Sequence, residues 1–201
     1  NVYTEDASGK AVYDWTILDR IVDAYRTRGL KPFVQLGFMP EALSSAPAEV
    51  PYRHFWKPGD PYNDIYTGWT YAPRDYKKWE ELCYQVTRHF VEKYGRAEVE
   101  SWWFELWNEP DIGYWSGSVG PAGRGNPLAA QKAQTRREEF NKLYDYTVEG
   151  VRRALPTAKM GGPEVTGGAQ AMLRTFLQHT SAGVNYATGK IGTPLDLITF
   201  H

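Results

Sequence analysis

A carboxamide and a carboxyl, Asn108 and Glu109, stand side by side at the end of the run Trp102-Trp103-Phe104-Glu105-Leu106-Trp107 and just before Pro110. A carboxyl fixed at such a place can give and take a proton. An amide beside it both donates and accepts, which suits it to hold a substrate hydroxyl. The run is too short for a typical helix and fits a strand buried on both faces, as parallel sheets make them. Pro110 lacks an N–H and pushes Glu109 away from helical geometry, so the strand is predicted to stop there. The pair then sits at a strand's carboxyl end, the edge where parallel α/β folds gather their catalytic groups. The plain alternative is that Asn-Glu-Pro only closes a strand. Glu105 shares the alternation parity of Glu109 and would point into the same interior. A lone buried carboxylate is costly, so Glu105 is expected to be structural and hydrogen-bonded to a basic group.

The elements that would position this pair are legible in order. Asp14 reads as an N-cap, and Ile17, Leu18, Ile21, Val22 and Tyr25 follow at helical spacing until Gly29. Pro32 to Phe38 is a strand ended by Pro40, and residues 41–73 form a long connection of the kind that usually carries function. Asp75 to Tyr94 is a helix with Tyr76, Trp79, Cys83, Val86, Phe90 and Tyr94 on one face. After the central strand comes a loop from Asp111 to about Thr135, with a Gly/Pro/Ala-rich insertion at 117–130. A helix over 136–154, a strand over Ala158–Gly161, a helix over Ala169–Ser181 and a strand over Leu195–Phe200 complete the chain, which ends on His201. Asn1 to Tyr13 reads as a polar lead-in with a turn at Gly9. The alternation of helix and strand demands an α/β fold with a parallel sheet and right-handed crossovers. With a strand missing before the first helix and a helix missing after the last strand, it reads as a piece of a longer βα array.

Composition narrows the chemistry. The 201 residues suffice for one large domain, and 42% hydrophobic with 23% charged residues is ordinary for a globular chain. A formal net charge of −1 with interspersed signs argues against nucleic-acid or anionic-membrane partners. No run of about 18 apolar residues occurs, so no membrane span is expected. Eight Trp and fourteen Tyr raise the expectation of a carbohydrate ligand, because flat rings suit sugar faces as well as cores. Cys83, the single cysteine, falls on an apolar helix face and reads as a small core residue. No metal and no cofactor is expected. The four His are scattered, HExxH is absent, Gly183 to Lys190 lacks the spacing of a phosphate loop, and GxGxxG and GxSxG are missing. His54 lies in the aromatic loop, whereas His89 and His179 fall in helices and read as structural. Compartment and oligomeric state are left open by the sequence.

With a sugar as the ligand, the pair at the strand end suits glycosidic hydrolysis, which needs a carboxylic acid for the leaving oxygen and a second carboxylate across the ring. Phe104 to Pro110, followed by Ile112-Gly113-Tyr114-Trp115, resembles the acid/base segment of glycoside hydrolase family 39, which includes bacterial β-xylosidases and α-L-iduronidases. Pro32-Phe33 with Gly37-Phe38-Met39-Pro40, Leu143-Tyr144-Asp145, Gly161-Gly162-Pro163 and Asp196-Leu197-Ile198 ending in His201 resemble further segments of that family, in the correct order. The Ile112–Trp115 segment is closer to the xylosidases. The resemblance implies a (β/α)8 TIM barrel, residues 1–201 forming part of its catalytic domain with about strands three to six of eight. It implies a retaining double displacement on β-linked xylosides. Glu109 would be general acid and then general base, Asn108 would bind the sugar 2-hydroxyl, and His201 would bond the same sugar. Phe38 and Trp115 would be apolar pocket walls.

The family's nucleophile is a glutamate ending the seventh strand, and this chain holds no counterpart. Glu164, just past Gly161-Gly162-Pro163, is the other carboxylate near a strand end but matches no nucleophile motif. The isolated 201 residues are therefore expected to be inactive. The alternatives are a non-catalytic carbohydrate-binding module using the same aromatic rim, or an α-L-iduronidase-like or other β-glycosidase of the same family.

Overall fold

The structure is a computed structural model that describes residues 2–52, 67–121 and 127–201. Four strands form a parallel sheet in sequence order: β3 (Phe33–Leu36), β4 (Trp103–Leu106), β5 (Lys159–Val165) and β6 (Leu197–Phe200). Before them stand a hairpin, β1 (Tyr3–Glu5) and β2 (Ala11–Tyr13), and the helix α1 (Thr16–Arg26). Between the sheet strands run α2 (Tyr76–Tyr94), the single turn α3 (Arg96–Val99), α4 (Ala129–Ala154) and α5 (Gln170–Ala182). This is the α/β alternation read from the sequence. The sheet is open at β3 and β6.

The register fixes which residues share a face. Gln35 pairs with Glu105, Glu105 with Gly161 and Gly161 with Leu197, so these four positions form one row across the sheet. The alternate residues Leu36, Phe104, Leu106 and Met160 are buried against the helices. Bare glycine at 162 lets two helices approach, since a Cβ there would lie 3.1 Å from Phe176 of α5 and 3.6 Å from Tyr144 of α4.

Helix capping follows the sequence closely. Asp75 accepts hydrogen bonds from the backbone N–H of Lys77 and Lys78, satisfying two of the donors that a helix start leaves unpaired. At α1 the expected cap Asp14 accepts from Thr16 N at 2.9 Å, but it stands one residue before the N-cap position, which Trp15 holds without a side-chain cap. Gly95, at φ 88°, supplies the backbone conformation that ends α2 and starts α3.

Three elements differ from their sequence expectations. Residues 2–14 are a hairpin rather than a polar lead-in, because strands of three residues are too short to show alternation. Helix α4 begins at Ala129, seven residues earlier than its apolar stripe indicates, on Ala-rich sequence of high helix propensity. Strand β5 runs through Gly161-Gly162-Pro163 to Val165, where the sequence reads a turn. A register shift between Pro163 and Val165 accommodates the proline, which has no N–H for the ladder.

Helices α2 and α4 cross in close contact at Gly150. A Cβ on Gly150 would lie 2.3 Å from the Glu80 carbonyl oxygen and 2.9 Å from Cys83 Cβ. Around this crossing, Trp79 Nε1 donates to Thr147 Oγ1 at 2.8 Å, and buried Glu80 pairs with Arg153 at 3.0 Å. Cys83 is buried there as a core residue, and burial pushes its thiol far above the ordinary range. In an exposed helix Gly→Ala would stabilise by about 1 kcal/mol. Here Gly150→Ala is expected to destabilise by on the order of 2–3 kcal/mol through overpacking, read as a lower urea midpoint with an unchanged slope.

Candidate functional site

The carboxyl edge of the sheet is where the backbone departs from ordinary geometry. Trp107, Glu109 and Glu164 are the described non-glycine residues at positive φ, at 68°, 44° and 54°. Such conformations cost on the order of 1–3 kcal/mol each and persist where the surroundings over-determine them. Hydrogen bonds do so here. Trp107 N donates to Leu36 O at 3.0 Å, Glu109 N to Glu164 O at 2.9 Å, and His201 N to Val165 O at 2.8 Å. The bulge at Glu164 turns its N–H to the Thr199 hydroxyl at 3.1 Å. Above the edge, Asp111 accepts from the backbone and hydroxyl of Thr166 at 2.9 and 2.5 Å, tying the loops that follow β4 and β5.

These constraints converge three side chains. His201 Nδ1 lies 2.7 Å from Glu109 Oε1, and its Nε2 lies 2.5 Å from Glu164 Oε1. One imidazole thus lies between carboxyls carried by two other strands. The Glu109 side chain is 20% exposed and that of Glu164 only 10%, so Glu109 is the carboxyl with more access to a ligand. The hydrogen bond to Glu109, then the negative charge of Glu164, raises the His201 pKa above its ordinary value, although desolvation opposes it. Asn108 is half-buried beside Glu109 on the same edge.

Glu105 lies one layer deeper and is 4% exposed. The expected basic partner is not there. Its Oε1 accepts from Gln35 Nε2 at 3.1 Å, and Oε2 makes no hydrogen bond of ordinary geometry. Lys159, the nearest cation on that face of the neighbouring strand, instead lies over the Trp103 ring at 4.4 Å. Without a cation the charged form is disfavoured. Burial first, and then the Glu164 carboxyl beside it, push Glu105 up to about 8.

The aromatic wall also differs from expectation. Phe38 is half-buried and packs against Trp69, Trp107 and Tyr114 with ring centroids 5.2, 5.1 and 5.6 Å away. Trp115 is fully buried, in near-perpendicular ring contacts with Trp107 and Phe140 and with Nε1 donating to Arg136 O at 2.8 Å. It is a core residue, and the cavity it borders, with Pro110, Asp111 and Arg136, lies on the α4 side and not beside Phe38. Half-buried Tyr114 contacts Phe38, and Trp69, from the long connection over residues 41–73, packs against Phe38 as well. A cavity of about 390 Å³ opens along the free edge of β3, lined by Gln35, Phe38, Trp69 and Trp79 among others, but Glu109, Glu164 and His201 lie outside it.

His89 stacks on Trp15 and bonds Asp19 at 2.7 Å, and His179 bonds buried Asp145 at 2.9 Å, both structural arrangements. His54 lies outside the described residues. No helix among the described residues is long and apolar enough to cross a membrane.

The raised Glu105 pKa sets a stability term with a definite sign. Below the ordinary carboxylate range both folded and unfolded chains hold the proton, and folding carries no penalty. As pH rises from about 4.5 only the unfolded chain releases it, so stability falls until about pH 8. Glu105→Gln keeps the neutral shape and is expected to stabilise by on the order of 2–3 kcal/mol at pH 7. Urea titrations at pH 4 and pH 7 check this, and the gain should vanish at the lower pH.

Known proteins can now be set beside this geometry. A β-xylosidase of Geobacillus stearothermophilus is 35% identical over 173 residues, 86% of this chain and 28% of that protein. The α-L-iduronidase of Homo sapiens is 28% identical over 204 residues, covering 100% of this chain and 25% of that protein. Among solved structures, a monomeric β-xylosidase from Caulobacter crescentus CB15 superposes with a TM-score of 0.69 at 28% identity, over 100% of this chain and 32% of that one. The chain thus spans about a quarter to a third of the length of these relatives, and its open parallel sheet matches part of their fold. The family model of Glycosyl hydrolases family 39 matches residues 1–201, and the chain belongs to that family.

Proposed function

We propose that this chain is the acid/base-bearing part of a retaining glycoside hydrolase acting on β-linked xylosides. The observation that carries the reading is the Glu109 carboxyl. It is partly accessible at the carboxyl edge of a parallel sheet, held at positive φ and hydrogen-bonded to His201. Similarity to β-xylosidases at 35% identity over most of the chain supports the choice of sugar.

In this mechanism Glu109 protonates the glycosidic oxygen as the bond to the anomeric carbon breaks, and the electron pair leaves with the aglycone. A second carboxylate on the opposite side of the sugar forms the glycosyl–enzyme bond, about 5–5.5 Å from the first. Glu109, now a carboxylate, then takes a proton from water as that water attacks the anomeric carbon. Asn108 binds the 2-hydroxyl, where a contact that tightens in the transition state lowers the barrier. His201, expected from the family resemblance to bond the same sugar, instead has both ring nitrogens on Glu109 and Glu164 and acts on the sugar through Glu109, while Phe38 with Tyr114 offers an apolar face. The nucleophile is assigned to a strand beyond β6, within the length of the relatives that this chain does not span.

Glu109→Gln in a complete family 39 polypeptide carrying this segment is expected to lower kcat by about 10²–10⁴ on xylosides with poor leaving groups. Activated aryl xylosides, which need little protonation, should lose much less in the first step. Equal rates for the variant and the parent on both substrates would refute the assignment, and a preference for α-L-iduronides would move the substrate class. The 201-residue chain alone should show binding of xylo-oligosaccharides without turnover, read by calorimetry and by product release. Turnover by a monodisperse sample of it would place both carboxylates within these residues.

A further inference from the structure

The acid/base reading leaves unexplained why a second and a third carboxyl, Glu164 and Glu105, crowd behind His201. Neither is placed on the accessible side, as their exposures show. The answer lies in the two ring nitrogens. A neutral imidazole carries one N–H, and the hydrogen bond made by one nitrogen determines what the other can do. Nε2 lies 2.5 Å from Glu164 Oε1, the shorter of the two contacts, and Glu164 is the more buried partner. If Nε2 keeps its proton for that carboxylate, Nδ1 is left as an acceptor pointing at Glu109 Oε1, 2.7 Å away.

Resting on the hydrolase reading above, we propose that Glu164 is a positioning residue that holds the Nε2–H of His201, so that one proton is shared between His201 Nδ1 and Glu109 Oε1. With the imidazole neutral the proton is on Glu109 and donates to Nδ1. With the imidazole charged it is on Nδ1 and donates to the Glu109 carboxylate. The pair has the same total charge in both forms. Donation to the leaving oxygen breaks the Glu109 O–H bond and makes the alcohol O–H bond, leaving a carboxylate beside a neutral imidazole. In the second half-reaction the attacking water loses a proton to the pair and restores it.

The surroundings fit this role. Glu164 is aimed by backbone, through its positive φ, its N–H on Thr199 and its carbonyl accepting from Glu109 N. The titratable groups facing His201 among the described residues are Glu109 from the end of β4 and Glu164 from β5, with Glu105 of β4 behind Glu164. No lysine or arginine is hydrogen-bonded to any of these carboxyls among the described residues, so the imidazole is the group that can offset their charge. A protonated Glu105 can also donate to Glu164, which keeps Glu164 an acceptor.

The test uses 15N-histidine NMR and pH–rate profiles on a complete family 39 polypeptide carrying this segment, as parent, Glu164→Gln, Glu164→Asp and Glu164→Leu. In the parent, neutral His201 should be the Nε2–H tautomer. His201 in Glu164→Gln should titrate at lower pH than in the parent, with Glu164→Asp restoring the parental direction. On poor leaving groups kcat should fall about tenfold in Glu164→Gln, a part of the 10²–10⁴ contribution of a placed proton donor, with KM little changed. Glu164→Leu should lose the tautomer preference, and circular dichroism confirms its fold. A parental Nδ1–H tautomer, or a His201 titration and pH profile unmoved by Glu164→Gln, overturns the proposal. If parental hydrolysis is absent while the His201 titration still moves, the hydrolase reading fails and the pairing of Glu164 with His201 stands.

Discussion

The hydrogen bond from Glu109 N to Glu164 O joins two neighbouring strands where both chains leave extended geometry. Regular β-structure alternates side chains above and below the sheet and would send one of these two carboxyls toward the helices. The turned backbone at Glu109 and the bulge at Glu164 allow both to reach the same imidazole. The cost is two residues in left-handed conformation, offset locally by backbone pairing between the strands and by the Thr199 hydroxyl. His201 is placed by the same means, through its own N–H on Val165. The site is therefore defined mainly by backbone, with side-chain chemistry following from where the strands end.

That backbone needs a stiff support, which the helix layer supplies. Helices α2 and α4 meet so closely at Gly150 that side-chain freedom is absent at the crossing, and Trp79, Thr147, Glu80 and Arg153 pair their polar atoms around it. Phe140, Tyr144 and Phe176 carry the contact from α4 and α5 to the back of β5 through the space left by Gly162. A second buried anchor, Asp145, accepts from Thr193, from Tyr186 N and from His179, and so fixes the segment that leads into β6. Each strand that bears a site residue is backed by packed aromatic rings or a fully bonded carboxylate.

Much of this was legible in the sequence. The strands ending at Glu109 and His201 and the α/β alternation rest on apolar runs and punctuation by Pro and Gly, signals of short range, while the family resemblance rests on motifs such as Phe104 to Pro110 followed by Ile112 to Trp115. What escaped were features decided by tertiary contacts. Trp115 was expected on a wall from the family resemblance, but it is fully buried, and the direction of a loop ring depends on a turn that composition does not encode. Glu164 matched no motif, and its contact with His201 arises because a register shift between Pro163 and Val165 turns it inward. Glu105 was read rightly as buried and wrongly as ion-paired. Parity reveals which face a side chain takes, whereas the identity of its neighbours depends on strand register.

The charge balance at the strand ends follows from that last point. Three carboxyls and one imidazole cannot all be charged in a partly dry site without strong repulsion, since like charges at these separations disfavour a second and third ionisation. The deepest carboxyl, Glu105, is pushed to the neutral form by burial before its neighbour acts on it. The most exposed group, His201, is pulled toward the charged form by the carboxyl it touches. Depth thus separates Glu105, which burial drives to the neutral acid, from His201, which its carboxyl partners draw toward imidazolium. The carboxyl left between the imidazole and the open side is Glu109, where the proposed hydrolysis would want a proton at one stage and its absence at the next. A graded arrangement of this kind suits a group that must hold a proton loosely, and it arises from the order in which β4, β5 and β6 lie in the sheet.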